Sequence, residues 1–153
     1  MGRLYLICGI PGSGKSTWAK ARADEGWSWN SRDKIRFAKI KENDEYFAYE
    51  SEVFDEFICN IQNDIYDKME NIIVDATHLN QSSRDKVLNR LSLTGYEVWY
   101  VVFDIPLETA LARNALRAGR ARVPDSVIEK MYNSFEMPVG NIIKINEKGE
   151  VVE

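Results

Sequence analysis

The chain's 153 residues are enough for one domain with a single sizeable core and too few for two of ordinary size. Its composition, 44% hydrophobic and 29% charged, is that of a globular protein, and no apolar run approaches the roughly 18 residues of a membrane span. A net charge of −4 argues against broad, non-specific adhesion to nucleic acid, while leaving room for a local basic site.

Cys8, in an expected core strand, and Cys59, in an expected helix, can build neither a disulfide framework nor a metal cluster. A reducing cytoplasm is therefore the expected compartment. Leu6 stands where an N-myristoylation signal needs Ser or Thr, and Gly2 leads almost directly into the first strand. Neither a lipid anchor nor a signal peptide is expected. No repeat, low-complexity tract or linker divides the chain, so residues 1–153 are expected to form a single domain.

Leu4 to Cys8 is a short apolar run and reads as a buried strand. The next stretch, Gly9-Ile10-Pro11-Gly12-Ser13-Gly14-Lys15-Ser16-Thr17, fits the phosphate-binding pattern G-x-x-x-x-G-K-[ST]. Ser16 to Ala23 then has the composition of a helix start, and strand–loop–helix is the order that the motif requires. Glycines at 9, 12 and 14 allow backbone conformations that let successive N–H groups converge on phosphate oxygens. The helix adds its unpaired N–H groups and positive dipole end. Lys15 reaches the terminal phosphates as a compact charge, and the Ser16 hydroxyl can ligate Mg²⁺. A glycine-rich turn that binds nothing would need neither the lysine nor the hydroxyl. The loop implies a nucleoside triphosphate, ATP or another, but not the use made of it.

Gly26 to Asn30 alternates aromatic and polar residues, which predicts a short second strand, with Trp27 and Trp29 as core filling or an edge and not a base-stacking platform. Ser31 then opens a helix in which Asp33 and Arg36, three apart, share a face. Because this helix directly follows a strand, that pair is expected at the sheet edge where open parallel sheets bind ligands. Lys41 to Glu45 is a polar break. Tyr46 to Glu70 reads as one long amphipathic helix, its stripe running from Val53 to Met69, with a solvated acidic face that includes Glu50 and Asp64.

Asn71 to Asp75 is an apolar strand ending in a carboxylate, and Asp75 there can hold Mg²⁺ directly or through water. Asn80 suits the N-cap of a helix from Gln81 to Leu93. His78, the only histidine, receives no catalytic role. Tyr96 to Phe103 is a further strand, and Pro106 suits the opening of a helix in which Leu107, Leu111 and Ala115 face the core. Arg113 and Arg117 share a different face. Between Glu108 and Asp125 the chain holds four arginines and no acid. Arginines on a segment bounded by Gly119 and Pro124 suit a lid, about residues 113–125, that closes over phosphates and excludes water. A short helix over Asp125 to Phe135 and a fifth strand over Asn141 to Ile145 complete the pattern.

Several of these stretches together resemble the kinase domain of polynucleotide 5′-hydroxyl kinases, the bacteriophage enzyme above all. They are Gly9 to Ala19; Ser31-Arg32-Asp33 with Arg36; Asp75-Ala76-Thr77-His78-Leu79-Asn80; Val102 to Pro106; Arg113-Asn114 with Arg117 and Gly119; and Val123 to Tyr132. The similarity covers nearly the whole chain in order. It implies an α/β P-loop NTPase fold of the kinase type, with a five-stranded parallel sheet ordered 2-3-1-4-5, flanking helices and an arginine-rich lid.

The resemblance also implies roles. Gly12, Ser13, Gly14, Lys15, Ser16 and Thr17 would bind the donor nucleotide, and Arg117 with Arg113 its β and γ phosphates. Asp33 would be the general base on a 5′-hydroxyl, while Arg36, helped by Thr77, would bind the acceptor's 3′ phosphate. Ser16 and Asp75 would serve Mg²⁺. Ala76 is a departure: the phage pattern sets its acid directly before the threonine. The phage and animal enzymes carry a phosphatase domain and some bacterial relatives a ligase, neither of which fits in this length, so a stand-alone or excised kinase module is expected.

Three functions compete. The first is ATP-dependent phosphorylation of a 5′-hydroxyl DNA or RNA end. The second is a small-molecule kinase acting on a nucleoside, sugar or other metabolite, and the third a nucleotide-dependent switch. Asp33 after the second strand weighs against a switch, which needs no acceptor base. Nucleic-acid ends are thus the expected partners, with no membrane and no inferable protein partner.

Overall fold

Leu4 to Cys8 carries apolar side chains on both sides because it lies in the middle of a sheet covered on both faces. The computed structural model describes residues 2–152; Met1 and Glu153, the ends of the expected domain, lie outside the described residues. The first strand, β1 (Gly2–Cys8), pairs in parallel with β3 (Asn71–Asp75) on one side and β4 (Tyr96–Phe103) on the other. Beyond β3 lies β2 (Ser28–Ser31), and beyond β4 lies β5 (Asn141–Ile145), both parallel to their neighbours. The expected order 2-3-1-4-5 holds, extended by an antiparallel sixth strand, β6 (Val151–Val152), on β5. The turn through Asn146 to Gly149 is short enough to send the chain straight back along that edge.

Alternation along β1 separates two cores. Leu4, Leu6 and Cys8 pack with Phe54, Phe57, Ile58 and Ile61 of helix α3 (Glu50–Tyr66) and with Val87 of α4 (Gln81–Leu88). Tyr5 and Ile7 face the opposite side, with Ala19 of α1 (Lys15–Asp24), Phe103 and Ile145. Trp27 stacks on Tyr5 at 4.6 Å between centroids, so it fills this second core as expected. Each fully buried Ile or Phe contributes about 1.5–3 kcal/mol of transfer free energy. A third, smaller cluster joins Ile10 of the glycine loop to Ala110 of α5 (Leu107–Ala115) and Ile128 of α6 (Asp125–Asn133).

Three helices are shorter than the sequence predicts, α6 only by Ser134 and Phe135 at its end. The long one begins at Glu50, not Tyr46, because Tyr46 and Phe47 fold back onto α2 (Arg32–Lys39) instead of continuing the apolar stripe. It ends at Tyr66, and Lys68 follows in the left-handed region at φ 58°. The helix opened by Asn80 stops at Leu88, although its start has the expected cap: the Asn80 side chain accepts from Ser83 N at 2.8 Å in a capping box. The acidic face of α3 is also not wholly solvated. Glu50 and Asp64 turn inward, and Asp64 accepts hydrogen bonds from Ser28 Oγ and, at 2.8 Å, from Asn30 Nδ2.

Register decides where the chemistry gathers. Ser31 lies opposite Asp75, and Cys8 opposite Val102. The segments following β1, β2, β3 and β4 therefore all leave the sheet at one edge, the carboxyl edge where such sheets bind ligands. Among the described residues no helix is long and apolar enough to cross a membrane.

Candidate active site

The glycine loop takes the conformation its composition requires. Gly12 has φ 81° and Gly14 φ 96°, both in the left-handed region. A side chain at Gly12 would also stand 2.5 Å from the carbonyl oxygen of Ala110, so the loop lies directly beneath α5. Gly14 is the N-cap of α1, which has no side-chain cap and no acid in its first turn. Its leading N–H groups are open to an anion. The Ser13 hydroxyl is buried with no hydrogen-bond partner among the described residues, as a group that awaits a ligand oxygen would be. Ser16 and Thr17, at the start of α1, are exposed.

Lys15 folds back across this loop and donates from Nζ to Gly9 O at 2.9 Å. Burial lowers its pKa below the ordinary lysine value; the charges of Asp75 and Asp33 oppose that shift, and Arg117 adds to it. One lysine thus feels the end of β3, the start of α2 and the arginine loop together. Asp75 is 6% exposed and accepts from Trp29 Nε1 at 2.9 Å through Oδ2. Burial raises its pKa, opposed by Lys15 and by the Trp29 hydrogen bond. The Asp75 carboxylate and the Ser16 hydroxyl are hard oxygen donors of the kind Mg²⁺ takes. Among the described residues no group of three or more His, Cys, Asp or Glu could hold a metal by itself, so an ion here would take the rest of its shell from water and substrate phosphate oxygens.

The Asp33 side chain is 64% exposed at the start of α2, where Ser31 Oγ caps the helix by accepting from Lys34 N at 3.3 Å. Arg36 Nη1 holds the Asp33 carboxylate at 2.5 Å. Arg36 itself is buried at 6% exposure and is gripped from α3: Nε donates to Glu50 Oε2 at 3.0 Å and Nη2 to Glu50 Oε1 at 2.7 Å. Arg32 donates to the same Oε1 at 2.7 Å. Burial alone would raise the Glu50 pKa, but the hydrogen bonds and charges of Arg36 and Arg32 outweigh it and hold it below the ordinary value. The bidentate fork that the resemblance assigns to an acceptor phosphate is therefore engaged within the protein. A phosphate would reach Nη1 by replacing Asp33 or Tyr46, whose hydroxyl lies 3.4 Å from it.

The loop after β3 is tied to the glycine loop by its backbone. Gly9 N donates to Thr77 O at 2.9 Å, and the half-buried Thr77 side chain stands beside that contact. His78 follows at φ 41° with its ring buried and Nδ1 2.6 Å from Ile7 O, so Nδ1 carries the proton and donates. Burial pushes its pKa down to about 3, so the ring is neutral. Arg84, fully buried, donates from Nε to His78 O at 2.9 Å and from Nη2 to Glu136 O at 2.5 Å. These ties, and the arginine–glutamate trio, were not visible in the sequence, where Glu50 looked like surface and His78 like a bystander.

The arginine segment lies over the loop. Arg113, on the last turn of α5, donates to Glu147 O, and its Nη1 is 3.5 Å from where a side chain on Gly14 would begin. Arg117 contacts Ala121 O at 3.4 Å. Arg120, on a single 3₁₀ turn over Gly119–Ala121, reaches the far side of the site, donating to Glu42 O at 2.7 Å and to Asp44 O. Arg122 is exposed.

A family model described as an AAA domain, AAA_33, matches residues 4–138. The chain is a P-loop kinase domain of that family. Two curated relatives lie on either side of the question of substrate. One, from Autographa californica nuclear polyhedrosis virus, is a putative bifunctional polynucleotide kinase/RNA ligase, 31% identical over 91% of this chain. The other, from Methanococcus maripaludis, is an L-seryl-tRNA(Sec) kinase, 30% identical over 88% of it. The kinase domain spans 23% of the first relative's length and 53% of the second's. Among solved structures, a chain in the Pnkp1/Rnl/Hen1 RNA repair complex matches with a TM-score of 0.73 and 25% identity, over 87% of this chain and 43% of that one. A sugar kinase from Janibacter sp. shares the fold, with a TM-score of 0.69 and 22% identity over 98% of this chain and 88% of its own.

Proposed function

We propose that this kinase domain transfers the γ-phosphoryl group of ATP to the 5′-hydroxyl of a DNA or RNA end. The observation that carries the proposal is Asp33: an exposed carboxylate, fixed by Arg36 at 2.5 Å, whose charge is felt by the lysine of the phosphate loop. A carboxylate so placed can receive an acceptor hydroxyl in line with a terminal phosphate. The acceptor oxygen bonds to the γ-phosphorus, the bond to the ADP oxygen breaks, and the hydroxyl proton passes to Asp33. In phosphoryl transfer the base mainly orients the nucleophile and takes its proton late, so an ordinary carboxylate serves.

The other residues divide between donor and acceptor. The loop N–H groups from Gly12 to Thr17, with Lys15, hold the donor phosphates, and Arg113 and Arg117 neutralise the charge developing on them. Ser16 and Asp75 would hold Mg²⁺, which would draw off negative charge from the donor phosphates. Thr77 and Arg36 face the acceptor, Arg36 exchanging a protein partner for the phosphate that follows the first nucleoside. The virus relative and the RNA repair complex support a nucleic-acid end as the acceptor. Two free cysteines, one of them exposed, suit a reducing cytoplasm.

The runner-up is a small-molecule acceptor, a nucleoside, sugar or other metabolite; the seryl-tRNA kinase relative adds a third kind of acceptor, a hydroxyl carried on a tRNA. Wild-type enzyme with Mg²⁺ and radiolabelled ATP decides between them when offered 5′-hydroxyl DNA and RNA oligonucleotides, nucleosides, sugars and seryl-tRNA. Labelled oligonucleotide 5′ ends are expected. Transfer to a nucleoside or a sugar, with none to oligonucleotides, would hand the assignment to the runner-up, and transfer to seryl-tRNA alone would make the acceptor that of the seryl-tRNA kinase relative.

A further inference from the structure

Beside Asp33 the surface carries an aromatic group that neither the fold nor phosphate chemistry explains. Phe47 is 64% exposed and Phe37 38% exposed, a poor use of two large apolar rings unless something covers them. They are not scattered. Tyr46 stands between them, edge-on to Phe37 at 6.0 Å and to Phe47 at 4.7 Å. Its ring and that of Phe47 also lie against the Arg36 guanidinium, whose Cζ is 4.9 Å from the Tyr46 centroid and 5.4 Å from that of Phe47. The same guanidinium holds Asp33. The rings therefore continue outward from the proposed general base through a single arginine.

The segment that carries Phe47 is held in place. Lys41 N donates to Asp44 Oδ2 at 2.8 Å, and Arg120 reaches across from the arginine loop to the carbonyls of Glu42 and Asp44. The rings are thus presented on a braced turn ahead of α3.

We propose that Phe47, supported by Tyr46 and Phe37, is a stacking platform for a nucleobase of the acceptor strand, one of the first two behind the reacting hydroxyl. This rests on the polynucleotide reading above and narrows it to acceptors with unstacked bases: single strands and overhanging ends. An aromatic face accepts any base, because every base has a π-face, so the platform confers strand affinity without sequence preference. Its position next to Arg36 fits a nucleotide, whose phosphate and base are recognised by a cation and a ring together.

The test uses the full chain and 5′-hydroxyl single strands that are fully based or abasic at position one or position two. Stacking of one base corresponds to about a tenfold change in KM. Wild type should lose about tenfold in KM at one of the two abasic positions, with kcat and the KM for ATP little changed. Phe47→Ala should lose the same factor on the based strand and nothing further on that abasic strand. Phe47→Tyr should retain wild-type behaviour, and Phe47→Leu, which keeps apolar surface but no ring, should behave as Phe47→Ala. Equal KM for based and abasic strands in wild type would overturn the platform while leaving the kinase assignment standing. Concentration-dependent self-association abolished by Phe47→Ala, with base-independent kinetics, would assign the rings to an interface and overturn the platform likewise. No phosphorylation of any oligonucleotide would overturn both.

Discussion

Asn114 and Val123 hold each other by two hydrogen bonds, Asn114 Nδ2 to Val123 O at 2.5 Å and Val123 N to Asn114 Oδ1 at 2.9 Å. Asn114 is fully buried, so the pair pins both ends of the loop that bears Arg117, Arg120 and Arg122. The pair closes this loop at its base, and its arginines are expected to close together over the phosphate loop when a nucleotide binds.

From this comes a prediction for Arg117. Its contact in the protein is a long one, 3.4 Å to Ala121 O, yet its charge reaches Lys15. It is free to close on the donor phosphates as negative charge develops there. Arg117→Ala should lower kcat by about 10³-fold, because an arginine that acts mainly in the transition state contributes on that order. ATP affinity should change far less. Steady-state kinetics on a 5′-hydroxyl oligonucleotide measure this, and a kcat within a few-fold of wild type would reduce Arg117 to a solvated helix end.

His78 gives a prediction about stability and pH. Buried and neutral, it takes a proton only near pH 3 when folded, against 6.5 for an unperturbed histidine. Between those values the unfolded chain binds one proton more than the folded one. Its contribution is therefore fully present above about pH 6.5 and is lost as pH falls, by about 1.4 kcal/mol per pH unit. Denaturant unfolding at pH 7, 6 and 5 should show this loss in wild type and a shallower slope in His78→Asn, a residue that also tolerates the left-handed backbone. As the chain has one histidine, NMR of its ring gives an independent check. A ring that titrates near pH 6.5 in the native protein would refute the buried neutral state.

What the sequence made legible was what is local. Gly9 to Thr17 signals its chemistry by spacing alone, and apolar runs ending at Cys8 and Asp75 predict strands whose ends share one edge of the sheet. The Ser31 and Asn80 caps were equally readable, because a cap involves residues three apart. The Arg32–Glu50–Arg36 trio was not, since Glu50 lies 18 and 14 residues beyond the two arginines and a glutamate opening an amphipathic helix looks solvated. Nor was Arg84, whose buried charge is met by the carbonyls of His78 and Glu136 without any carboxylate to announce it. Tyr46 and Phe47 continued a helical pattern on paper. Only the approach of Arg36 shows why they leave it.

Whether Asp33 receives the acceptor's proton is decided by Asp33→Asn. The substitution keeps the shape and the reach to Arg36 but removes the proton acceptor, at a position exposed enough for the fold to tolerate it. The measurement is ATP affinity and oligonucleotide phosphorylation, side by side, for the variant and wild type. Near-normal ATP binding with phosphorylation lowered by about 10²-fold or more is the predicted result, in line with the loss of a general base. Equal phosphorylation by the two proteins would contradict it and remove Asp33 as the base.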